Sequence, residues 1–164
     1  MAKEGGDGGL DELQFRAWRA FLYAYSLVVP TLDRELVRTQ GLSFSQFEVL
    51  VWVRRAGGDG LRMSDLASRV VLSPSGVTRA VDQLERRGLV ERCVFESDKR
   101  GQLAKVTAQG KTFLRKATKA HLQGLRAHFL DHLSRTDLEH LAGAMEAILN
   151  GEGSPLPPMT SSRA

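Results

Sequence analysis

Residues 73–79 read Ser-Pro-Ser-Gly-Val-Thr-Arg, a spacing of small hydroxyl groups, a glycine and an arginine that suits hydrogen bonding to a polyanion. Hydroxyls and free helix N–H groups bond phosphate oxygens, and a guanidinium fork grips either a phosphate or the O6/N7 edge of guanine. Gly76 lets the backbone approach such a partner closely. A second set lies at Asp98-Lys99-Arg100. Lys99 offers a point charge for phosphate, and Arg100 suits a narrow minor groove, where negative potential is enhanced. Asp98 would repel phosphate, unless its carboxylate holds the Arg100 guanidinium in one rotamer by a charge-assisted bond. From Ser97 to Arg126 there are eight cations and one anion, a local excess that draws a polyanion far more than the net +4 of the whole chain does.

Other chemistries find little support. There is no nucleophile elbow, no glycine loop built for phosphates and no cluster of metal ligands, so neither an enzyme nor a cofactor is expected. His121, His128 and His132 read as one face of a helix, but the rise per residue sets His121 about 10 Å from His128. Only His128 and His132 could share an ion, and Glu48 has no His or Cys beside it, so no metal site is expected. Cys93 is the one cysteine, which excludes an intramolecular disulfide and fits a reducing compartment. No apolar run approaches the ~18 residues of a membrane span, and Met1–Gly9 has no apolar signal core. A cytoplasmic protein without membrane contact is the expectation. The 164 residues, 42% hydrophobic and 26% charged, suffice for one domain with a packed core.

Several elements must position these groups. Leu10 to Val37 carries apolar residues at helical spacing, with Pro30 expected to kink rather than stop the helix and to cost the Ser26 carbonyl its partner. Ser45 and Glu48 read as a capping box for the next helix, with Phe44 and Val49 as a staple, and Gly57-Gly58 as its end. A short helix is expected from Ser64 to about Val70. Ser73 then caps another with Pro74 at its first position, and Gly88 closes it. Leu89–Phe95 reads as a strand, 96–101 as a polar turn and Leu103–Val106 as the returning strand. Thr107 caps a long fifth helix, and a sixth starts near Ser134 or Thr136.

Two short helices joined by a tight link, then a hairpin, predict a mainly α protein: a winged helix-turn-helix with six helices and a small β-hairpin wing. Val77, Ala80, Val81 and Leu84 fall at i, i+3, i+4 and i+7, so Ser75, Thr78, Arg79, Asp82, Gln83 and Arg86 should face outward. That places a recognition helix over 74–87 in the major groove and a wing over 96–102 in the minor groove of double-stranded DNA. The expected DNA-binding residues are Ser64, Ser73, Ser75, Gly76, Thr78, Arg79, Arg86, Asp98, Lys99 and Arg100. The rival reading is a winged-helix module that binds protein. Such modules usually lose the basic wing and the small polar face that this chain keeps.

From Leu42 to Lys111 the chain resembles the MarR family of bacterial regulators (multiple-antibiotic-resistance type). The matching pieces are Gly41-Leu42-Ser43 with Gln46, Met63-Ser64-Asp65-Leu66-Ala67, Ser75-Gly76-Val77-Thr78-Arg79, Leu84 to Arg92, Asp98-Lys99-Arg100, and Val106-Thr107-Ala108-Gln109-Gly110-Lys111. The resemblance implies a homodimer built from the first and the last two helices, which the terminal apolar stripes support. It also implies promoter repression through a pseudo-palindromic operator, often relieved by a small aromatic ligand bound between the dimer helices and the DNA-binding lobe. Trp18, Phe21, Tyr25, Phe47 and Trp52 are the candidates to line that pocket, although an aromatic stripe is more often core. Some relatives sense peroxide through a cysteine near the first helix. Cys93, placed in the wing, does not fit that scheme. The expected division is a disordered tail at 1–9, a domain over 10–150 and a disordered tail at 151–164. Within the domain, 10–42 and 108–150 are dimerisation helices and 43–107 the DNA-binding lobe.

Overall fold

The computed structural model describes residues 9–95 and 98–154, with the side chains of 94–101 outside that description. Helix α1 spans Glu12–Gln40. Its start is a capping box in which the Asp11 carboxylate accepts the Gln14 N–H at 2.8 Å and the Gln14 side chain accepts the Asp11 N–H at 3.0 Å. Helical geometry carries through Pro30 and stops at Gly41, whose left-handed φ of 59° suits a residue without Cβ.

Helix α2, Phe44–Arg55, begins two residues before the expected cap. Ser43 and Gln46 form the capping box, not Ser45 and Glu48. The two boxes overlap in sequence, and tertiary contacts choose between them. Leu42 is fully buried, and the Phe44 N–H donates to the Asp33 carboxylate of α1 at 2.7 Å, which fixes where the chain turns into the helix.

Helix α3 is shorter than expected, Met63–Ala67, and starts one residue before Ser64. Leu61–Arg62 form a strand, β1, so the helix follows directly from a sheet residue and Arg62 stands at its N-cap without a side-chain bond. Ser64 therefore lies inside the first turn. Helix α4, Pro74–Arg86, meets expectation: the Ser73 hydroxyl accepts the Gly76 N–H at 3.2 Å, Pro74 opens the helix, and Gly88 turns left-handed with φ 67°.

Strands β2, Val90–Phe95, and β3, Asp98–Val106, are antiparallel, and β1 pairs on the far edge of β3 to give the order β1-β3-β2. The returning strand begins at Asp98 rather than Leu103, so residues expected in a polar turn are paired in the ladder, with an irregularity after Val94. A two-stranded ribbon beyond the lobe has no buried face and leaves no apolar alternation to read. Helix α5, Ala108–His128, is capped by the Thr107 hydroxyl, which accepts the Gly110 N–H at 2.9 Å. A short 3-10 turn, Leu130–His132, then precedes α6, Arg135–Gly151, capped by Ser134 and Asp137. His132 is thus outside α5, and the expected single face of three histidines does not form.

The core gathers α2, α3, α4, the sheet and the middle of α5 around Val49, Leu50, Val53, Leu66, Val81 and Leu84, with α1 adding Leu36 from its C-terminal part. The N-terminal half of α1 and all of α6 contribute no buried residue.

Candidate nucleic-acid interface

Helix α4 owes its orientation to one apolar stripe. Val77, Ala80, Val81 and Leu84 are all buried, at the four positions a 3.6-residue period requires. Ser75, Thr78, Arg79, Gln83 and Arg86 are consequently exposed. The Thr78 hydroxyl bonds the Pro74 carbonyl at 3.1 Å, and the Ser73 and Ser75 hydroxyls lie 3.2 Å apart. Gly76 has a reason beyond access. A Cβ there would come 3.2 Å from the Ser73 hydroxyl that caps the helix. Ser64 is exposed at the start of α3, so it and Ser73 stand at two neighbouring helix beginnings of the helix-turn-helix.

Asp82 departs from expectation. Instead of facing a groove it is ion-paired with Arg92 of β2, and Glu85 bonds the same side chain at 2.8 Å and the Arg92 N–H at 3.2 Å. Arg92 is mostly buried, its side chain about 20% exposed. The recognition helix is thereby joined to the wing. The sequence held a signal: Asp82 and Glu85 at i, i+3 share one flank of a helix, and a cation follows shortly after its end. The backbone of Asp98, Lys99 and Arg100 begins β3, but their side chains lie outside the described residues.

The five aromatic candidates do not converge on one cavity. Phe21 and Tyr25 line an apolar hollow of about 670 Å³ between the N-terminal half of α1, the 3-10 turn and α6. Trp18, half exposed, stacks beside Phe21. Phe47 and Trp52 belong to α2 and line a different hollow of about 520 Å³, closed by Val70 and Val71 of the α3–α4 link and by His121 of α5. Burial raises the pKa of Glu48 there and lowers that of His121. The His121 ring packs on Phe47 and Phe44, and its Nδ1 is buried without a partner. His128 instead pairs with Glu35 of α1 at 2.9 Å, beside Gly124, where a Cβ would come within 2.5 Å of the Glu35 carboxylate. Among the described residues no group of three or more His, Cys, Asp or Glu is placed to hold a metal ion, and no helix is long and apolar enough to cross a membrane.

An apolar-backed helix with a small polar outer face, entered by a tight link and flanked by a β ribbon, defines a winged helix-turn-helix protein. The family model described as "MarR family" matches residues 40–101. AbsC, a MarR family transcriptional regulator from Streptomyces coelicolor, is 32% identical, with 90% of this chain and 99% of that one covered at a TM-score of 0.82. Sco3205, a MarR family regulator of the same organism solved in complex with DNA, is 30% identical over 90% of this chain and 99% of its own, at a TM-score of 0.83. The transcriptional repressor MprA of Escherichia coli (strain K12) is 28% identical over 81 residues, 49% of this chain. That match spans 46%, about half, of the relative's length. The chain belongs to the MarR family of transcriptional regulators.

Proposed function

We propose that this protein is a sequence-specific repressor that binds double-stranded DNA as a homodimer on a pseudo-palindromic operator in the cytoplasm. The observation that carries the reading is the outer face of α4. Its only large groups are Arg79, Gln83 and Arg86, its leading turn is small and capped, and its inner face is anchored to the core. That leading turn fits a groove ~12 Å wide. Ser64, Ser73 and Lys99 serve phosphates, Arg79 serves base edges, and Arg100 oriented by Asp98 serves the minor groove. The dimer is formed by residues 10–42 and 108–150, whose apolar surface the single chain leaves open. The two reading helices then address half-sites about one helical turn, ~10 bp, apart.

A small aromatic effector fits the hollow beside Phe47 and Trp52. The link that forms one wall of that hollow leads straight into Ser73, so an occupant there bears on the recognition helix.

A fluorescence anisotropy titration with bulk genomic DNA at two salt concentrations tests the reading. Steep salt dependence is expected, with footprints of selected fragments resolving into inverted repeats. DNA binding that is absent, or insensitive to salt, supports the protein-binding alternative instead.

A further inference from the structure

The C-terminal end of α4 is held by a residue that touches neither the core stripe nor the outer face. Arg87 follows the last helical residue, and its guanidinium reaches across to the end of α1. It donates to the Gly41 carbonyl at 2.7 Å and to the Gln40 carbonyl at 3.3 Å. These are carbonyls that a helix C-terminus leaves without intrahelical partners, and they carry the negative end of a 29-residue dipole. The same guanidinium lies 4.9 Å from the ring centroid of Phe113 on α5. Helix α5 closes the junction from its own start. The Gln109 amide donates to the Arg87 carbonyl at 3.3 Å, and the Thr107 hydroxyl donates to the Gly88 carbonyl at 2.7 Å.

Helices α1 and α5 are two of those assigned above to the dimer, and α4 is the reading helix. By contrast, the side-chain hydrogen bonds of Ser73 and Thr78 stay within α4 or its own first turn. One end of the reading helix is therefore tied to the dimer frame, and the end that carries Ser75 is about 18 Å away. A tilt of about 5° at that pivot moves Ser75 by roughly 1.5 Å, beyond the ~0.5 Å to which a recognition site must be held.

We propose that Arg87 is a positioning residue for DNA recognition: its fork onto the α1 carbonyls sets the angle of α4 against the dimer helices, and so the spacing that the two reading helices present. The proposal rests on the DNA-binding dimer proposed above. A lysine supplies one such donor at a time, whereas glutamine supplies no charge and a shorter reach.

The test measures the distance between the two reading helices without DNA. Spin labels at Ser75→Cys in a Cys93→Ser background give an inter-protomer distance distribution by pulsed dipolar spectroscopy. A narrow distribution is expected for the wild-type Arg87 and a similar one for Arg87→Lys, with a broad or displaced one for Arg87→Gln. On unlabelled protein, Arg87→Gln should weaken operator binding about tenfold, what losing one charge-assisted hydrogen bond is worth. It should also blunt the preference for the native half-site spacing over one lengthened by a single base pair. The slope of affinity against salt should stay as in wild type, since Arg87 meets carbonyls and not phosphate. An unchanged distribution in Arg87→Gln overturns the proposal, and so does a salt slope reduced by about one, which marks a phosphate contact. Should Arg87→Gln fail to fold by circular dichroism, Phe113→Leu keeps the apolar bulk but removes the ring beneath the guanidinium. Broadening is expected there too, and its absence overturns the proposal. Wild-type protein that shows no inter-label distance overturns the dimer reading itself, before any variant is compared.

Discussion

Arg79 and Asp82 lie three residues apart on one helix and have different fates. Arg79 is exposed on the outer face, while Asp82 is held by Arg92. Arg79→Ala should change which half-site sequence is preferred, by the ~1–3 kcal/mol that a bidentate base contact discriminates. A uniform loss across sequences in a binding selection would reassign it to phosphate. Burial period alone made Arg79 legible. Asp82 was not, because its partner sits on a strand ten positions on, and pairings between elements leave no periodic trace. Two titrating groups also lie beside the 520 Å³ hollow. For His121 the folded pKa is depressed by burial, so between that value and the usual 6.5 the unfolded chain binds more protons. Stability from this group is present above about pH 6.5 and is lost as pH falls toward the folded value. Glu48 runs the other way: its raised pKa means that its burial costs stability above that value, and the cost is relieved below it, from a usual value of 4.5. Thermal melts between pH 7 and pH 5.5 should thus show a steeper acid loss for wild type than for His121→Gln. Equal slopes would contradict the burial of a neutral imidazole.

At the scale of elements, order and identity were largely readable, and starts were not. Ser73-Pro74 announced α4 because nothing upstream competed for its first turn. Ser43 and Ser45 each begin a legitimate capping box, and only the Asp33 bond to Phe44 decides between them. Ser64 lost its expected cap because β1 is two residues long, too short for any sequence period to show. These outcomes make a matched set of stability measurements. Ser73→Ala and Ser43→Ala should each cost about 1 kcal/mol in urea unfolding, the usual worth of a helix cap. Ser45→Ala and Ser64→Ala should stay within about 0.5 kcal/mol, as surface changes do. A loss at Ser64 equal to that at Ser73 would mean that α3 starts where the sequence suggested. Gly110 supplies a sterner check on the junction between α5 and the sheet. A Cβ there would sit 2.0 Å from the Leu89 carbonyl oxygen, so Gly110→Ala has to move backbone and should cost well over 1 kcal/mol.

The whole molecule is unfinished as a single chain. From Leu10 to Leu27, nine large apolar side chains of the first helix and its approach are between 41% and 67% exposed, among them Leu13, Phe15, Trp18, Phe21 and Tyr25. Helix α6 has 17 residues, none buried. Isolated helices of that length are marginal in water, and a soluble monomer rarely leaves so much contiguous apolar surface open. The sequence showed the stripes but not their exposure, since an apolar period looks the same whether its own chain or another copy covers it. The reading that a second copy covers them has a direct consequence. Light scattering at micromolar concentration should give twice the chain mass, and the melting temperature should fall on dilution, as it does when folding is coupled to association. Phe21→Glu and Leu141→Glu place charges on opposite walls of the 670 Å³ hollow. An unpaired carboxylate in an apolar interface is costly, so the double variant should shift toward monomer. The lobe around Leu50 and Val81 should survive, because its core includes neither residue. Operator affinity should then collapse toward that of one half-site while bulk DNA binding persists. Wild-type protein that scatters as a monomer, with a melting temperature indifferent to dilution, would show that these helices are covered in some other way.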